Sequence, residues 1–147
     1  VNTENYLLNA VLNVEIEKAR CNEISVKLSI ANDMKMFSNG SDMISIIGNI
    51  FDNAISYLSE NKIENKEIIF VTEHKGDYSV IKCKNKIIDS VLSENPLLHT
   101  DKADKKNHGK GISIVKSIAK KYGGDVVISE KNNEFIVSVI LDNRIFT

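Results

Sequence analysis

Counting from Asn5, the apolar residues Leu8, Val11, Leu12, Ile16 and Ala19 return every three or four positions, the spacing that lines one face of an α-helix. They predict a first helix reaching about Cys21. Ile24 to Ala31 then alternates, with Ile24, Val26, Leu28 and Ile30 on one face of a strand. Ser38 to Asp42 is turn chemistry, and Ser41 or Asp42 can cap a second helix running from Met43 to about Ser59. That helix has an apolar stripe of Met43, Ile47, Ile50, Ala54 and Leu58, opposite a polar stripe of Ser45, Asn49, Asp52, Asn53 and Ser56.

Two β-patterned segments follow, Glu67 to His74 and Tyr78 to Asn85, joined by Lys75-Gly76-Asp77 as a hairpin. The pattern dissolves between Asn85 and His108, a stretch that holds the chain's only proline, Pro96. A connection this long in a compact domain is commonly functional, which marks the segment as a lid candidate. A third helix is expected from Ile112 to about Tyr122, stopping on Gly123-Gly124. Two last strands, Asp125 to Glu130 and Glu134 to Leu141, flank Lys131-Asn132-Asn133. Hairpins segregated from helices in this order predict an α+β, two-layer sandwich, with helices packed on one face of a mixed, mostly antiparallel sheet.

The 147 residues fit one domain, 1–147, with a single core. A formal net charge of −1, from 19 basic and 20 acidic residues, gives no footprint for nucleic acid or an anionic membrane. The two cysteines, Cys21 and Cys83, lack metal-ligand spacing and read as small core residues. The longest apolar run, Met43 to Phe51, is too short to span a bilayer, so a cytoplasmic, not membrane-inserted, piece is expected. A first residue of Val1 rather than Met suggests excision from a longer chain.

Two groups of residues can carry chemistry. Asn49 and Asn53, four apart on a helix, stack one above the other. Their carboxamide oxygens suit a hard cation such as Mg²⁺ beside substrate phosphates, although a solvated polar face would look the same. Asparagine favours caps and turns, so two at mid-helix call for a reason. His108-Gly109-Lys110-Gly111, ahead of the third helix, is neither a Walker A loop nor a dinucleotide fingerprint. Its glycines can let a ligand approach the backbone, or can form a plain turn. His74 and His99 have no partner pattern.

Asparagine helix, hairpin, long lid, glycine-rich helix start and final hairpin, in that order, resemble the ATP-binding module of gyrases, MutL-type proteins, heat-shock chaperones and histidine kinases, the GHKL or Bergerat fold. Within it, Gly48 to Ile55 and Asn107 to Gly124 are similar to the asparagine box and last glycine box of the Agr-like, peptide-receptor sensor histidine kinases of quorum sensing. The resemblance implies ATP and Mg²⁺ as cofactors, with Asn53 holding the metal against the phosphates. It places Asn49 where hydrolysing relatives carry a glutamate that activates water; an amide cannot be that base, which favours phosphoryl transfer over hydrolysis. It implies nucleotide contacts from Asn85, in place of an adenine-binding aspartate, from Thr100 and Lys102 in a lid of Thr100 to Lys106, and from His108, Gly109, Lys110 and Gly111. Here Asn85-Lys86-Ile87-Ile88-Asp89 departs from the family's Asp-x-Gly-x-Gly, and Ser56 replaces a basic phosphate ligand.

The implied activity is that of a histidine protein kinase domain whose phospho-acceptor histidine lies on a dimerisation and histidine-phosphotransfer domain of the same membrane sensor, with a response regulator downstream. Two alternatives stand beside it. One is a non-catalytic interaction domain that keeps the fold with weak or no nucleotide binding. The other is a protein-serine kinase of the anti-sigma type.

Overall fold

The computed structural model describes residues 1–31, 39–91 and 103–146, without the side chains of 103–110 and 146. Helix α1 spans Tyr6–Cys21, capped by Asn5, whose side chain accepts a hydrogen bond from the Leu8 amide at 2.7 Å. Strand β1 is Ser25–Ser29 and helix α2 is Gly40–Glu60. The hairpin strands are β2, Glu67–Lys75, and β3, Tyr78–Lys86, with Gly76 at φ +62° in the turn. Helix α3 spans Ala103–Lys121, β4 is Asp125–Lys131, β5 is Glu134–Asp142, and a 3₁₀ turn at Asn143–Phe146 follows.

The five strands form one sheet in the order β1-β2-β3-β5-β4. Among the described residues only β1 pairs in parallel, with β2; the other pairings are antiparallel, so the sheet is mixed and mostly antiparallel as the pattern predicts. Three helices pack against one face of it, which confirms the α+β sandwich. Alternation along the strands sends Ile68, Phe70, Ile81, Cys83, Phe135, Val137, Val139 and Leu141 to the helix side, all buried. Phe51 of α2 meets Phe70 of β2 with ring centroids 5.3 Å apart, at the centre of this layer.

The helices have readable directions. Leu7 lies over Gly40, Glu15 beside Gly48, Lys18 reaches Asp52 at 3.5 Å, and Asn22 meets Ser59, so α1 and α2 run parallel. Asp42 meets Lys121 and Asn49 meets Gly111, so α2 and α3 run antiparallel. No helix among the described residues is long and apolar enough to cross a membrane.

Four expectations need correction. The cap of α2 is Asn39, which accepts from the Ser41 amide at 2.9 Å; Ser41 and Asp42 lie inside the helix. On α1 it is Glu15 rather than Ile16 that is buried beside Val11, Leu12 and Ala19. Cys21, the last residue of α1, is exposed instead of lying in the core, while Cys83 is buried as expected. Finally, α3 begins at Ala103, nine residues before the expected Ile112. A glycine costs about 1 kcal/mol in a helix interior, which an anchored helix can bear while its hydrogen-bond ladder continues. No proline lies between Pro96 and Ile112 to stop it.

The contrast between the cysteines gives a direct test. Burial pushes the Cys83 thiol up to about 12, and its Sγ lies 3.8 Å from the Ile50 carbonyl. Since the thiolate is the reactive form, iodoacetamide at pH 8 should modify one cysteine, Cys21, on the folded chain and both after denaturation. Peptide mass mapping checks this; rapid labelling of Cys83 under native conditions would contradict the packing of β3 under α2.

Candidate nucleotide site

Asn49 and Asn53 lie on the half-buried side of α2 that faces α3, and the two carboxamides do different things. Asn49 Nδ2 donates to the Ser45 carbonyl one turn back, at 2.7 Å. Its Oδ1 faces α3 so closely that a Cβ built on Gly111 would stand 2.8 Å from it. Gly111 is thus a close-approach position: the missing side chain lets α3 lie on Asn49. No hydrogen bond to another described residue engages the Asn53 side chain, whose backbone lies within the α2 ladder. Along the antiparallel course of α3, Asn53 comes level with the turn that precedes Gly111. The asparagine pair and the glycine box, 62 residues apart between Asn49 and Gly111, therefore meet.

Asn85 enters from the sheet. It sits on the helix side of β3, paired in the ladder with Ile68 and Phe135, and is 4% exposed. Its Nδ2 donates to the Lys86 carbonyl at 3.0 Å, so the amide nitrogen is held internally and the oxygen is the acceptor left to recognise a ligand. Two ties to α2 bracket it: Cys83 Sγ of β3 with the Ile50 carbonyl, and the amide of Ile88, just past β3, donating to the Tyr57 hydroxyl at 3.0 Å. Between those ties lie Asn53 on α2 and Asn85 on β3. Sequence reading passed over Tyr57, although its position four residues after Asn53 was the available signal.

The glycine box differs most from its expected form. His108, Gly109, Lys110 and Gly111 lie within the helical backbone of α3 rather than at the start of a helix. Amides at those positions belong to the helix ladder, whereas only the first four N–H groups of a helix are left over to meet an anion. Thr100 and Lys102 lie outside the described residues, as do the side chains of His108 and Lys110; of the expected lid, residues 103–106 are helical. Ser56 is half-buried on the same side of α2. Among the described residues no three histidine, cysteine, aspartate or glutamate side chains group as metal ligands, so a cation here would rest on amide oxygens and ligand phosphates.

The site's far boundary is an ion-pair clamp that sequence reading also missed. Asp42, in the first turn of α2, accepts hydrogen bonds from Lys121 Nζ at 2.6 Å and the Tyr122 hydroxyl at 2.7 Å. These two partners hold its carboxyl below the usual aspartate range. Nothing in sequence spacing links position 42 to position 121.

The fold has known counterparts. The catalytic domain of the histidine kinase ThkA superposes with a TM-score of 0.73 at 21% identity, over 97% of this chain and 93% of that one. The histidine kinase AdeS of Acinetobacter baumannii gives 0.68 at 14% identity, over 92% of this chain and 62% of that one. The mycobacterial sensor histidine kinase MprB gives 0.68 at 13%, over 92% and 93%. At these identities the likeness establishes the fold of histidine kinase catalytic domains. No curated protein matches the chain. The model of the GHKL domain family matches residues 34–142, which takes in α2, the hairpin, α3 and the last two strands, and the chain belongs to that family.

Proposed function

We propose that this chain is the ATP-binding catalytic domain of a sensor histidine kinase, which binds Mg-ATP and passes the γ-phosphoryl group to a histidine on a separate dimerisation domain of the same protein. The observation that carries this reading is the meeting of Gly111 with Asn49, which sets the glycine box against the asparagine helix beside the Asn53 carboxamide. Asn53 fits a Mg²⁺ ion that neutralises nucleotide phosphates, because its oxygen is a hard neutral donor with no competing bond to a described residue. Asn85, its nitrogen tied to Lys86, offers an oxygen acceptor suited to the exocyclic amine of adenine. Tyr57 fixes the segment after β3 to α2 and so shapes the wall between the two asparagines.

Asn49 supports transfer rather than hydrolysis. Its amide cannot take a proton from water, and its nitrogen is spent on Ser45. Thr100, Lys102, His108, Gly109 and Lys110 are the remaining phosphate contacts in this reading. For the amides of the glycine box to reach phosphate, the first turns of α3 must open back to Gly109 and Gly111. Those two glycines are the residues at which a helix yields at least cost. The proposed setting is a membrane sensor of the quorum-sensing type, with this domain on the cytoplasmic side and a response regulator downstream. The histidine kinase ThkA has been captured with the response regulator TrrA, which supports that part of the reading by analogy.

Titration of the chain with Mg-AMPPNP, followed by calorimetry or amide chemical shifts, tests the proposal. Saturation at millimolar concentration or tighter, about 4 kcal/mol or more, is expected for the native chain and its loss for Asn53→Ala. One observation favours a second reading, an interaction domain without nucleotide: α3 runs unbroken through the glycine box. A native chain that fails to bind, with amide shifts around Gly111 unmoved, would establish that reading instead.

A further inference from the structure

We propose that Asp42 is a positioning residue for the phosphate end of the site, acting through the C-terminal end of α3. The inference rests on the nucleotide reading above, and it concerns residues that never touch the nucleotide. Lys121 lies ten residues beyond Gly111, about 15 Å along a helix at the usual rise per residue. Asp42 lies seven residues before Asn49 on α2, about 10 Å away by the same rise. The clamp is therefore remote from the glycine box, yet it joins the same two helices.

Beside the buried apolar face of α3, two close contacts set its line across α2. One is Gly111 on Asn49, where the approach is as close as a glycine allows. The other is the clamp, where Asp42 receives both Lys121 and Tyr122. Asp42 retains only 12% side-chain exposure against 55% for Lys121, so the carboxylate is the enclosed partner and the ammonium closes over it. Behind the clamp the end of α3 is held to the sheet: the Asp142 amide donates to the Tyr122 carbonyl at 2.9 Å, and Gly124 is pressed against Ile140. With its end held in depth by β5, α3 cannot easily slide along its axis. Its buried apolar side chains, Ile112, Val115 and Ala119, hold it to the core, and Asp42 adds a directional polar tie against a sideways swing over α2. A swing at the clamped end, pivoting on the contact of Gly111 with Asn49, turns the helical backbone ahead of that contact relative to Asn53. Displacements of about 1 Å at a reacting centre can cost on the order of 100-fold in rate.

A tie of this kind should matter for phosphates and not for the base, since among the described residues Asn85 bonds to Lys86 and Tyr57 to Ile88, neither through α3. The test is an NMR titration of the native chain, Asp42→Asn, Lys121→Met and Lys121→Arg, each with Mg-AMPPNP and with adenosine. Asp42→Asn and Lys121→Met are expected to weaken Mg-AMPPNP on the order of tenfold, the scale of ordinary site-to-site coupling, while adenosine affinity is unchanged. Lys121→Arg should restore the triphosphate affinity. Leu12→Ala, a core truncation on α1, supplies the comparison of a chain that is merely less stable; it should not separate the two ligands. Should Asp42→Asn fail to fold, Lys121→Met, at a half-exposed position, carries the test alone. Variants that bind both ligands as the native chain does, or that lose both alike, overturn the positioning role and leave the nucleotide reading intact. A native chain that binds neither ligand overturns the nucleotide reading, and the positioning role with it.

Discussion

Gly124→Ala is expected to cost about 3 kcal/mol or more, the upper range for overpacking in a closed site. A Cβ at this position would stand 1.6 Å from the Ile140 carbonyl oxygen and 2.5 Å from its carbon, inside any tolerable contact. The obstacle is backbone, so no side-chain rotation relieves it; either β5 or the end of α3 must move. Both are held. The Gly123 amide donates to the Lys120 carbonyl at 3.0 Å and the Gly124 amide to the Ala119 carbonyl at 2.9 Å, with Gly123 at φ +71°. This is a Schellman ending, which satisfies the last carbonyls of α3 and delivers the chain directly into β4. Strand β5 is locked between β3 and β4. For a chain of this length the loss corresponds to a melting temperature lower by roughly 10 °C, measurable by calorimetry or circular dichroism. Gly76→Ala is the matched comparison: its Cβ meets open space, and only the positive φ of 62° is penalised, at about 1–2 kcal/mol. Equal losses for the two variants would mean that the turn after α3 is not closed on β5.

Gly123-Gly124 was legible in the sequence as a helix stop, because the double glycine follows a periodic apolar run with Lys120 and Lys121 in its last turn. Its contact with Ile140 was not, since closeness between chain segments 16 residues apart depends on the pairing of β4 with β5. The same division runs through the molecule. Strand alternation, hairpin turns and the apolar stripe of α2 are local signals, and they fixed the sandwich and its element order. The cap of α2 went to Asn39 because Asn, Ser and Asp are near-equivalent caps, and adjacent candidates cannot be ranked by type alone. Ile16 and Glu15 on α1 are neighbours only 100° apart around a helix, so a small rotation decided which was buried, and the structure chose the charged one.

The candidate site divides in the same way. Asn49 and Asn53 were legible as a stacked pair, but their unequal roles depend on Ser45 and Gly111, one a turn back and the other on another helix. The start of α3 was misjudged because two glycines argued for a turn, whereas the helix they interrupt is anchored from Ile112 to Tyr122 by buried apolar contacts that local propensity does not count. Tyr57 and Asp42 were passed over because each acquires meaning only from its partner, Ile88 across the α2–β3 gap and Lys121 across the α2–α3 gap.

Glu15→Gln should change how stability depends on pH. The native side chain is 3% exposed: Oε1 accepts from Lys18 Nζ at 3.1 Å, and Oε2 is buried with no hydrogen-bond partner among the described residues. Among the described residues the charged groups facing it are Lys18 from its own helix and Asp52 from α2, itself 3.5 Å from Lys18; from β3 the neutral Cys83 thiol lies within reach of its charge. Burial is the largest influence and the Asp52 charge adds to it, so the carboxyl is raised above its ordinary value of 4.5 despite Lys18. The folded chain then binds this proton more tightly than the unfolded chain does. Its contribution is fully present below pH 4.5 and is lost as pH rises from there through the raised folded value. Above that window the fold carries a buried, incompletely paired carboxylate, at a cost of about 1–3 kcal/mol. Glutamine has the same shape and does not ionise. Asp42, Glu73 and Asp142 have lowered values and act in the opposite sense, losing stability as pH falls, so the informative quantity is the difference between variant and native chain. Urea unfolding from pH 4 to pH 8 should show Glu15→Gln gaining on the native chain as pH rises, with the larger advantage at pH 8. A difference that stays constant across this range would mean that Glu15 does not titrate between α1 and α2, and a variant less stable at pH 8 would mean that the Lys18 contact outweighs burial.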